Sequence, residues 1–189
     1  MQILFFIVAW ILVLVLFAVL LLLLLWMFTG MKNKVPFVPV PNSILPSIYK
    51  NLHLAPESVV YDLGCGDGRV LTYLANHQPK ARYVGIENAP FPFLMARVLA
   101  WWNKKRGKGE MEIRYKNFFD QDLSDATHIF IYLYPNIMDA LLGKFERELA
   151  PGTILLSTTF KFTQKPPIAE IDLQRKKHQL ARKLFIYEF

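Results

Sequence analysis

Two carboxylates and three alternating glycines stand together in the segment Asp62–Gly68, which reads D-L-G-C-G-D-G. The residues that lead into it, Ser58–Leu63, have the β-branched and aromatic content and the length of a buried strand, and the following Arg69–Asn76 can form a helix. Glycine admits positive φ and leaves space for a ligand against the main chain. A strand, a glycine turn and a helix in this order predict the ligand site of a doubly wound α/β fold.

The charge of this segment indicates which ligand it binds. A dinucleotide site reads G-x-G-x-x-G and places a pyrophosphate at the helix N-terminus, whereas here the spacing is G-x-G-x-G and the carboxylates Asp62 and Asp67 bracket the loop. Each pairing of a carboxylate with a phosphate at ~4 Å costs about 4 kcal/mol at an effective dielectric of ~20. The same carboxylates suit a ligand that carries an ammonium and a sulfonium group.

An acid also ends the next predicted strand, Ala81–Glu87. In doubly wound folds an acid at this place holds ribose hydroxyls by two hydrogen bonds. S-adenosylmethionine has the ammonium, the sulfonium and the ribose that these residues suit, and it is the predicted cofactor. The alternative is a glycine-rich turn that binds no ligand.

At these residues the sequence resembles the class I, seven-stranded methyltransferases. Asp62–Gly68 is similar to their first motif, and Gly85-Ile86-Glu87 to their second strand. Within that class, the P-F-V-P-V-P run at Pro36–Pro41 and the Y-L-Y-P run at Tyr132–Pro135 resemble the small membrane-anchored lysine methyltransferases related to those of the ATP synthase c-subunit and the adenine nucleotide translocase. The resemblance covers residues 36–189.

The fold that the resemblance implies is α/β: a Rossmann-like, doubly wound, mostly parallel seven-stranded sheet with an antiparallel C-terminal strand, preceded by one N-terminal transmembrane helix. Strands are predicted at residues 58–63, 81–87, 110–116, 127–133 and 153–160, with a final antiparallel pair at 168–173 and 183–189. Helices are predicted at 69–76, 90–105 and 136–149. A short helix that ends near Leu52 is predicted to be capped by Asn42 or Ser43.

The resemblance assigns cofactor binding to the glycine segment, to the end of the second strand and to the corner after the third. The residues concerned are Asp62, Gly64, Cys65, Gly66, Asp67, Gly68, Glu87, Asn88, Asn117 and Phe118. In the class, a polar residue followed by an apolar one at that corner holds the adenine. Asn117 stands where Asp is commoner, but its carbonyl can still accept a hydrogen bond from the adenine amino group.

The chemistry of methyl transfer needs little from the protein beyond alignment of the nucleophile and removal of water, because a sulfonium is already a good leaving group. The four histidines lack the spacing of metal ligands, and no metal site is predicted. If the acceptor is a lysine amine, burial among aromatic rings lowers its pKa. The predicted catalytic residues follow the fourth strand and are Tyr132, Tyr134 and Pro135; the alternative is that the tyrosines pack on the sheet.

One segment, Ile3 to Phe28, is uncharged and raises the hydrophobic fraction of the 189-residue chain to 53%. About 20 apolar residues span a bilayer as a helix, so the predicted organisation is a transmembrane helix at 3–28, a linker and pre-methyltransferase segment at 29–46, and a methyltransferase domain at 47–189. A cleaved signal peptide would need a basic start, a shorter apolar core and small residues at the cut. Met1-Gln2 and Phe28-Thr29-Gly30 do not supply them.

The orientation of this helix follows from Lys32 and Lys34, which come after it while nothing basic precedes it. The positive-inside tendency predicts a single-pass membrane protein with its catalytic domain on the cytosolic side. The single cysteine agrees, since it cannot form a disulfide within the chain. In the linker, Phe37, Val38 and Val40 are expected to lie on the domain, where they either cover the cofactor or only pack.

The net charge of +7 leaves several acceptor classes open. The predicted partners are the membrane and a lysine of a membrane protein; the alternatives are a lipid or quinone-like molecule, a nucleic acid, or a non-catalytic membrane scaffold. No nucleic-acid partner is predicted, because the chain is too short for a separate recognition module. The basic cluster Lys104–Lys108 is interpreted either as a solvated surface or as a contact with anionic lipid.

Overall fold

The computed structural model of the chain describes residues 2–32, 38–176 and 179–189. It divides into two compact units, Met1–Pro36 and Phe37–Phe189. The first unit contains helix α1, Gln2–Lys32, which continues past the predicted end at Phe28. The 24 residues Gln2–Leu25 are long and apolar enough to cross a membrane, although a signal sequence near an N-terminus meets the same criterion.

The second unit is built on one seven-stranded sheet. Its strands are β1 (Val59–Leu63), β2 (Arg82–Glu87), β3 (Met111–Tyr115), β4 (His128–Ile131), β5 (Ile154–Thr158), β6 (Ala169–Asp172) and β7 (Lys183–Glu188). Its helices are α2 (Leu45–Leu52), α3 (Arg69–His77), α4 (Pro90–Lys105) and α5 (Pro135–Glu148), with short 3-10 turns at Asn42–Ile44 and Phe118–Asp120.

The strand order is β3-β2-β1-β4-β5-β7-β6. The first five strands pair in parallel, whereas β7 is antiparallel to both β5 and β6. The predicted mostly parallel α/β sheet with antiparallel strands at its C-terminal side is therefore confirmed.

Both faces of the sheet are covered, as a parallel sheet requires. Side chains alternate along each strand, so in β1 Val60 joins one buried cluster and Tyr61 the other. Residues of α2, α3 and α4 belong to the first cluster, and residues of α5 to the second. The near-continuous apolar runs of the sequence thus fill two cores on opposite faces.

Several predicted boundaries differ from those of the structure. The fourth strand ends at Ile131 rather than Leu133, and α5 begins at Pro135 rather than Asn136, because the fixed φ of proline suits the first helical position. The predicted cap of the short helix is wrong: neither Asn42 nor Ser43 caps it, and its N-cap residue Ile44 makes no side-chain hydrogen bond. The Ser43 hydroxyl instead accepts from the guanidinium of Arg175.

The strand order reverses between β1 and β4, the adjacent strands from which the chain proceeds in opposite directions across the sheet. At such a point the loops after the two strands diverge and leave a crevice at the carboxyl ends of the strands. The glycine segment follows β1, and the Tyr132–Pro135 segment follows β4. The fold therefore brings the two sequence-predicted groups of site residues to one edge of the sheet.

Candidate cofactor and acceptor site

The glycine segment folds back over the end of β2. The N–H groups of Gly64 and Cys65 both donate to the carbonyl of Ile86, at 2.8 and 3.0 Å. Gly64 has a φ of +79°, and a Cβ at this position would lie 3.4 Å from Leu133 Cδ2. The loop after β1 therefore lies against the loop after β4, and glycine permits the left-handed turn that brings it there.

Gly68 allows a helix to approach the loop closely. A Cβ at this position would lie 3.1 Å from Ala96 Cβ and 3.2 Å from Ala96 Cα. Ala96 is fully buried on α4. Close packing of α4 against the loop therefore explains the glycine at position 68 without reference to a ligand.

The carboxylate of Glu87 binds the backbone of the loop. Its Oε2 accepts from the N–H of Gly66 at 2.9 Å, and its Oε1 accepts from the N–H groups of Asn88 and Ala89 at 2.9 and 2.8 Å. A carboxylate offers about four acceptor positions, so Glu87 retains capacity for a ribose hydroxyl. Its predicted contact with ribose stays a prediction, while its contact with the glycine loop is a role that the sequence did not reveal.

Asp62 is a buried carboxylate at the end of β1. Its Oδ2 has no hydrogen-bond partner among the residues that the structure describes. Burial raises the pKa of this carboxyl well above its ordinary value, and the nearby Glu87 and Asp67 raise it further. A buried carboxyl group with two acids nearby and, among the described residues, no partner for one of its oxygens is a favourable place for a cation, and it fits the ammonium group of S-adenosylmethionine.

Asp67 pairs with a side chain of the protein, whereas the sequence predicted that it suits a cationic group of the ligand. Arg69 Nε lies 3.0 and 2.9 Å from the two carboxylate oxygens, and Arg69 Nη2 lies 2.6 Å from Oδ2. The Asp67 carboxylate is thus already paired with a cation two residues along the chain. Of the two acids that bracket the loop, Asp62 is the one left without a cation among the described residues.

Arg69 also reaches the segment that precedes the domain. Its Nη1 donates to the carbonyl of Val40 at 3.2 Å. Val40 is buried in the first core cluster and Val38 is half-buried, as expected for residues that lie on the domain. Phe37, for which the same was predicted, lies outside the described residues.

The remaining predicted cofactor residues lie around the crevice in different environments. Cys65 is buried, which raises the pKa of its thiol well above the ordinary value. The side chain of Asn88 is exposed. Asn117 caps the 3-10 turn by accepting from the N–H of Phe119 at 3.1 Å, and Phe118 in that turn is half-buried. The Asn117 carbonyl has a second lone pair, so its predicted contact with adenine is compatible with the cap.

The predicted catalytic residues separate into packed and accessible side chains. Tyr132 is half-buried and packs against the first core cluster, in agreement with the alternative that it belongs to the sheet packing. Tyr134 is exposed, and its ring lies 5.5 Å from that of Phe160 at an angle of 35°. Pro135 is the first residue of α5. Tyr134 is therefore the accessible aromatic side chain of this segment.

The turn after β5, which brings Phe160 to Tyr134, was not predicted. Thr159 has a φ of +74°, and the N–H of Phe160 donates to the carbonyl of Thr158 at 2.9 Å. This geometry costs about 1–3 kcal/mol in a residue other than glycine and is held by the surrounding strands. The Thr159 hydroxyl is buried and has no partner among the described residues. No glycine or proline marks the S-T-T-F run, so a turn could not be predicted there.

The doubly wound seven-stranded sheet, with the buried Asp62 before the glycine loop and a second acid at the end of β2, is that of a class I, S-adenosylmethionine-dependent methyltransferase. Residues 62–169 match the family model of the ANTKMT methyltransferase domain, and the chain belongs to that family.

Curated relatives agree with this assignment. A protein-lysine N-methyltransferase of Saccharolobus islandicus is 35% identical over 127 residues, which cover 67% of this chain and 78% of that protein. The adenine nucleotide translocase lysine N-methyltransferase of Mus musculus is 28% identical over 144 residues, or 75% of this chain and 60% of the mouse protein.

Among solved structures, an RNA methyltransferase of Salinibacter ruber in complex with S-adenosyl-L-homocysteine superposes with a TM-score of 0.71 at 28% identity. The match covers 80% of this chain and 93% of that one. Within the described residues, no group of His, Cys, Asp and Glu side chains could hold a metal ion.

Proposed function

We propose that the chain transfers the methyl group of S-adenosylmethionine to the side-chain amine of a protein lysine. The observation that carries the proposal is the exposed ring of Tyr134 beside Phe160, in the segment after β4 whose Leu133 lies against the glycine loop. Membership of the family and the names of the two curated relatives support the same acceptor.

The residues of the site have separate tasks in this reaction. The cofactor supplies an electrophilic methyl group on a sulfonium. Asp62 would pair with the ammonium of the cofactor, and Glu87 would hold the ribose while it fixes the glycine loop. The rings of Tyr134 and Phe160 would exclude water from the acceptor amine, which disfavours its charged form and leaves the lone pair free to attack.

The proposal predicts that Tyr134→Ala lowers transfer to protein at least about tenfold while the Kd for S-adenosylmethionine stays the same, because in this proposal the ring contacts the acceptor and not the cofactor. The measurement is incorporation of tritium from labelled cofactor into the protein fraction of membranes, together with calorimetric binding. Tyr73→Ala is a matched control, since Tyr73 stacks on His77 within α3 at 4.1 Å.

The fraction that takes up the label distinguishes the acceptor classes. Methyl-lysine in membrane proteins supports the proposal. Label in lipid would instead support the second candidate, a lipid or quinone-like acceptor, which the apolar helix α1 favours. Label in RNA, or an equal loss in both tyrosine variants, would contradict the proposal.

We further propose that α1 anchors the enzyme as a single-pass membrane protein, with the catalytic domain in the cytosol and the acceptor lysine on a membrane protein. The basic residues Lys32 and Lys34 follow the apolar span, and tethering raises the effective concentration of targets in the same membrane. A reporter that is active only in the cytosol should be active when it is fused after Phe189. Protease added to intact cells should leave the domain uncut. Cleavage from outside would overturn the orientation.

A further inference from the structure

Helix α4 presents apolar side chains on the side that faces away from the sheet. A surface helix normally turns polar and charged side chains outward. Here six large apolar side chains are each exposed by 38% to 56%: Phe91, Leu94, Met95, Val98, Trp101 and Trp102. Single exposed apolar residues are common, but a contiguous group of them marks an interaction surface.

The six side chains form one continuous stripe, because their positions follow the three- and four-residue spacing of a helix face. The buried residues of the helix include Ala96, which packs against Gly68, and these lie on the opposite side. None of the six side chains belongs to either buried cluster of the domain. It runs along α4 from Phe91 to Trp102.

The charge along α4 has one sign. Its 16 residues include no acid, and basic side chains lie beside the stripe and just after it: Arg97, Lys104, Lys105, Arg106 and Lys108. Lys105 Nζ lies 4.2 Å from the centre of the Trp101 ring, and the Arg106 guanidinium lies 5.5 Å from that of Trp102. An acid approaches the cluster at Lys104, which pairs with Glu110 at 3.0 Å.

We propose that this face of α4 lies on the surface of a bilayer that contains anionic lipid. Tryptophan favours the headgroup region, aliphatic side chains enter the acyl boundary, and each nearby Lys or Arg gains about 1 kcal/mol from anionic headgroups. A nucleic acid would offer no apolar surface to Leu94 and Val98. A protein interface would be depleted in the lysines that lie here.

The test uses the full chain with Trp10→Phe and Trp26→Phe, so that fluorescence reports on Trp101 and Trp102. The protein is reconstituted in vesicles of phosphatidylcholine alone or mixed with phosphatidylglycerol. In the mixed vesicles we expect emission at shorter wavelength, quenching by brominated lipid and a fall of about threefold or more in acrylamide quenching. These changes should be weak in phosphatidylcholine and should decline at high salt.

Two variants separate the contributions of charge and apolar contact. The triple variant Lys105→Glu, Arg106→Glu and Lys108→Glu should abolish the shift in tryptophan emission. The matched control reverses three exposed basic residues elsewhere, Lys50, Lys80 and Arg182, and should keep the shift. Leu94→Ser with Val98→Ser should weaken it with the charges intact. Cofactor binding verifies that each variant is folded.

Two results would overturn the proposal. One is the same tryptophan emission and acrylamide quenching in both kinds of vesicle. The other is shielded tryptophans in detergent together with a dimeric mass by light scattering, which would assign the stripe to a second copy of the chain.

Discussion

Replacing Asp62 by Asn is expected to raise the thermal stability of the ligand-free protein and to weaken S-adenosylmethionine binding at least about tenfold. The stability gain arises because the buried Asp62 carboxylate has no partner for its Oδ2 among the described residues, and an amide has no charge to desolvate. The loss of binding arises because a charge-assisted hydrogen bond is worth about 1.5–3 kcal/mol.

The pH dependence of both quantities follows from the raised pKa of Asp62 in the folded protein. Below the ordinary range of an Asp pKa, the carboxyl is protonated in both the folded and the unfolded chain, and its burial costs little. As the pH rises through the raised folded pKa, the ligand-free wild type loses stability relative to Asp62→Asn. The affinity of the wild type for the cofactor should fall as the pH is lowered through the same range. Protonation of Asp62 removes the negative charge that would pair with the ammonium group of the cofactor.

Thermal unfolding with and without cofactor, measured over a pH series, tests both expectations. Glu57→Gln is the matched acid-to-amide control, since Glu57 is exposed and precedes β1, at the end of that strand opposite to the glycine loop. An Asp62→Asn protein that is less stable than the wild type without ligand at neutral pH, or that binds cofactor equally well, would contradict this account of the site.

Replacing Glu87 by Ala is expected to raise the Kd for both S-adenosylmethionine and its demethylated product at least about tenfold and to lower Tm. The variant leaves the N–H groups of Gly66, Asn88 and Ala89 without their acceptor. Each unsatisfied buried group costs about 1–3 kcal/mol. Glu87→Gln should not restore binding. In either orientation of the amide, its NH2 group would face a backbone N–H donor, because both oxygens of Glu87 accept from N–H groups.

Calorimetry and thermal unfolding distinguish the two roles of Glu87. Glu188→Ala, which removes an exposed acid from the end of β7, provides the control. Unchanged affinity with a lower Tm would show that Glu87 only stabilises the backbone of the loop and does not bind the cofactor.

The strand, the glycine turn and the acid at the end of β2 were predictable from sequence because their signals are local. The run D-x-G-x-G-x-G sets the backbone at Gly64, and the apolar runs on either side set the strands. From these, the fold and the position of the site follow by the general behaviour of doubly wound sheets.

The partners of the side chains were less predictable, because they depend on contacts that are distant in sequence. The Ser43 hydroxyl, expected to cap a helix, instead bonds Arg175, 132 residues away. The sequence predicted that both loop acids suit the cationic groups of the cofactor, whereas in the structure Asp67 pairs with Arg69, two residues along the chain. The apolar content of α4 identified a helix, but not that much of this content faces away from the core.

The guanidinium of Arg69 has a consequence for how the parts of the molecule communicate. It holds Asp67 in the glycine loop and, through Nη1, the carbonyl of Val40 in the segment that enters the domain. Free-energy coupling between two sites is reciprocal. If ligand binding at the loop stabilises the position of Arg69, it also stabilises the contact between Arg69 and the entering segment. Detachment of that segment would then lower the affinity of the loop for its ligand by the same factor. Ligand binding in the crevice and docking of the entering segment are then thermodynamically coupled through Arg69.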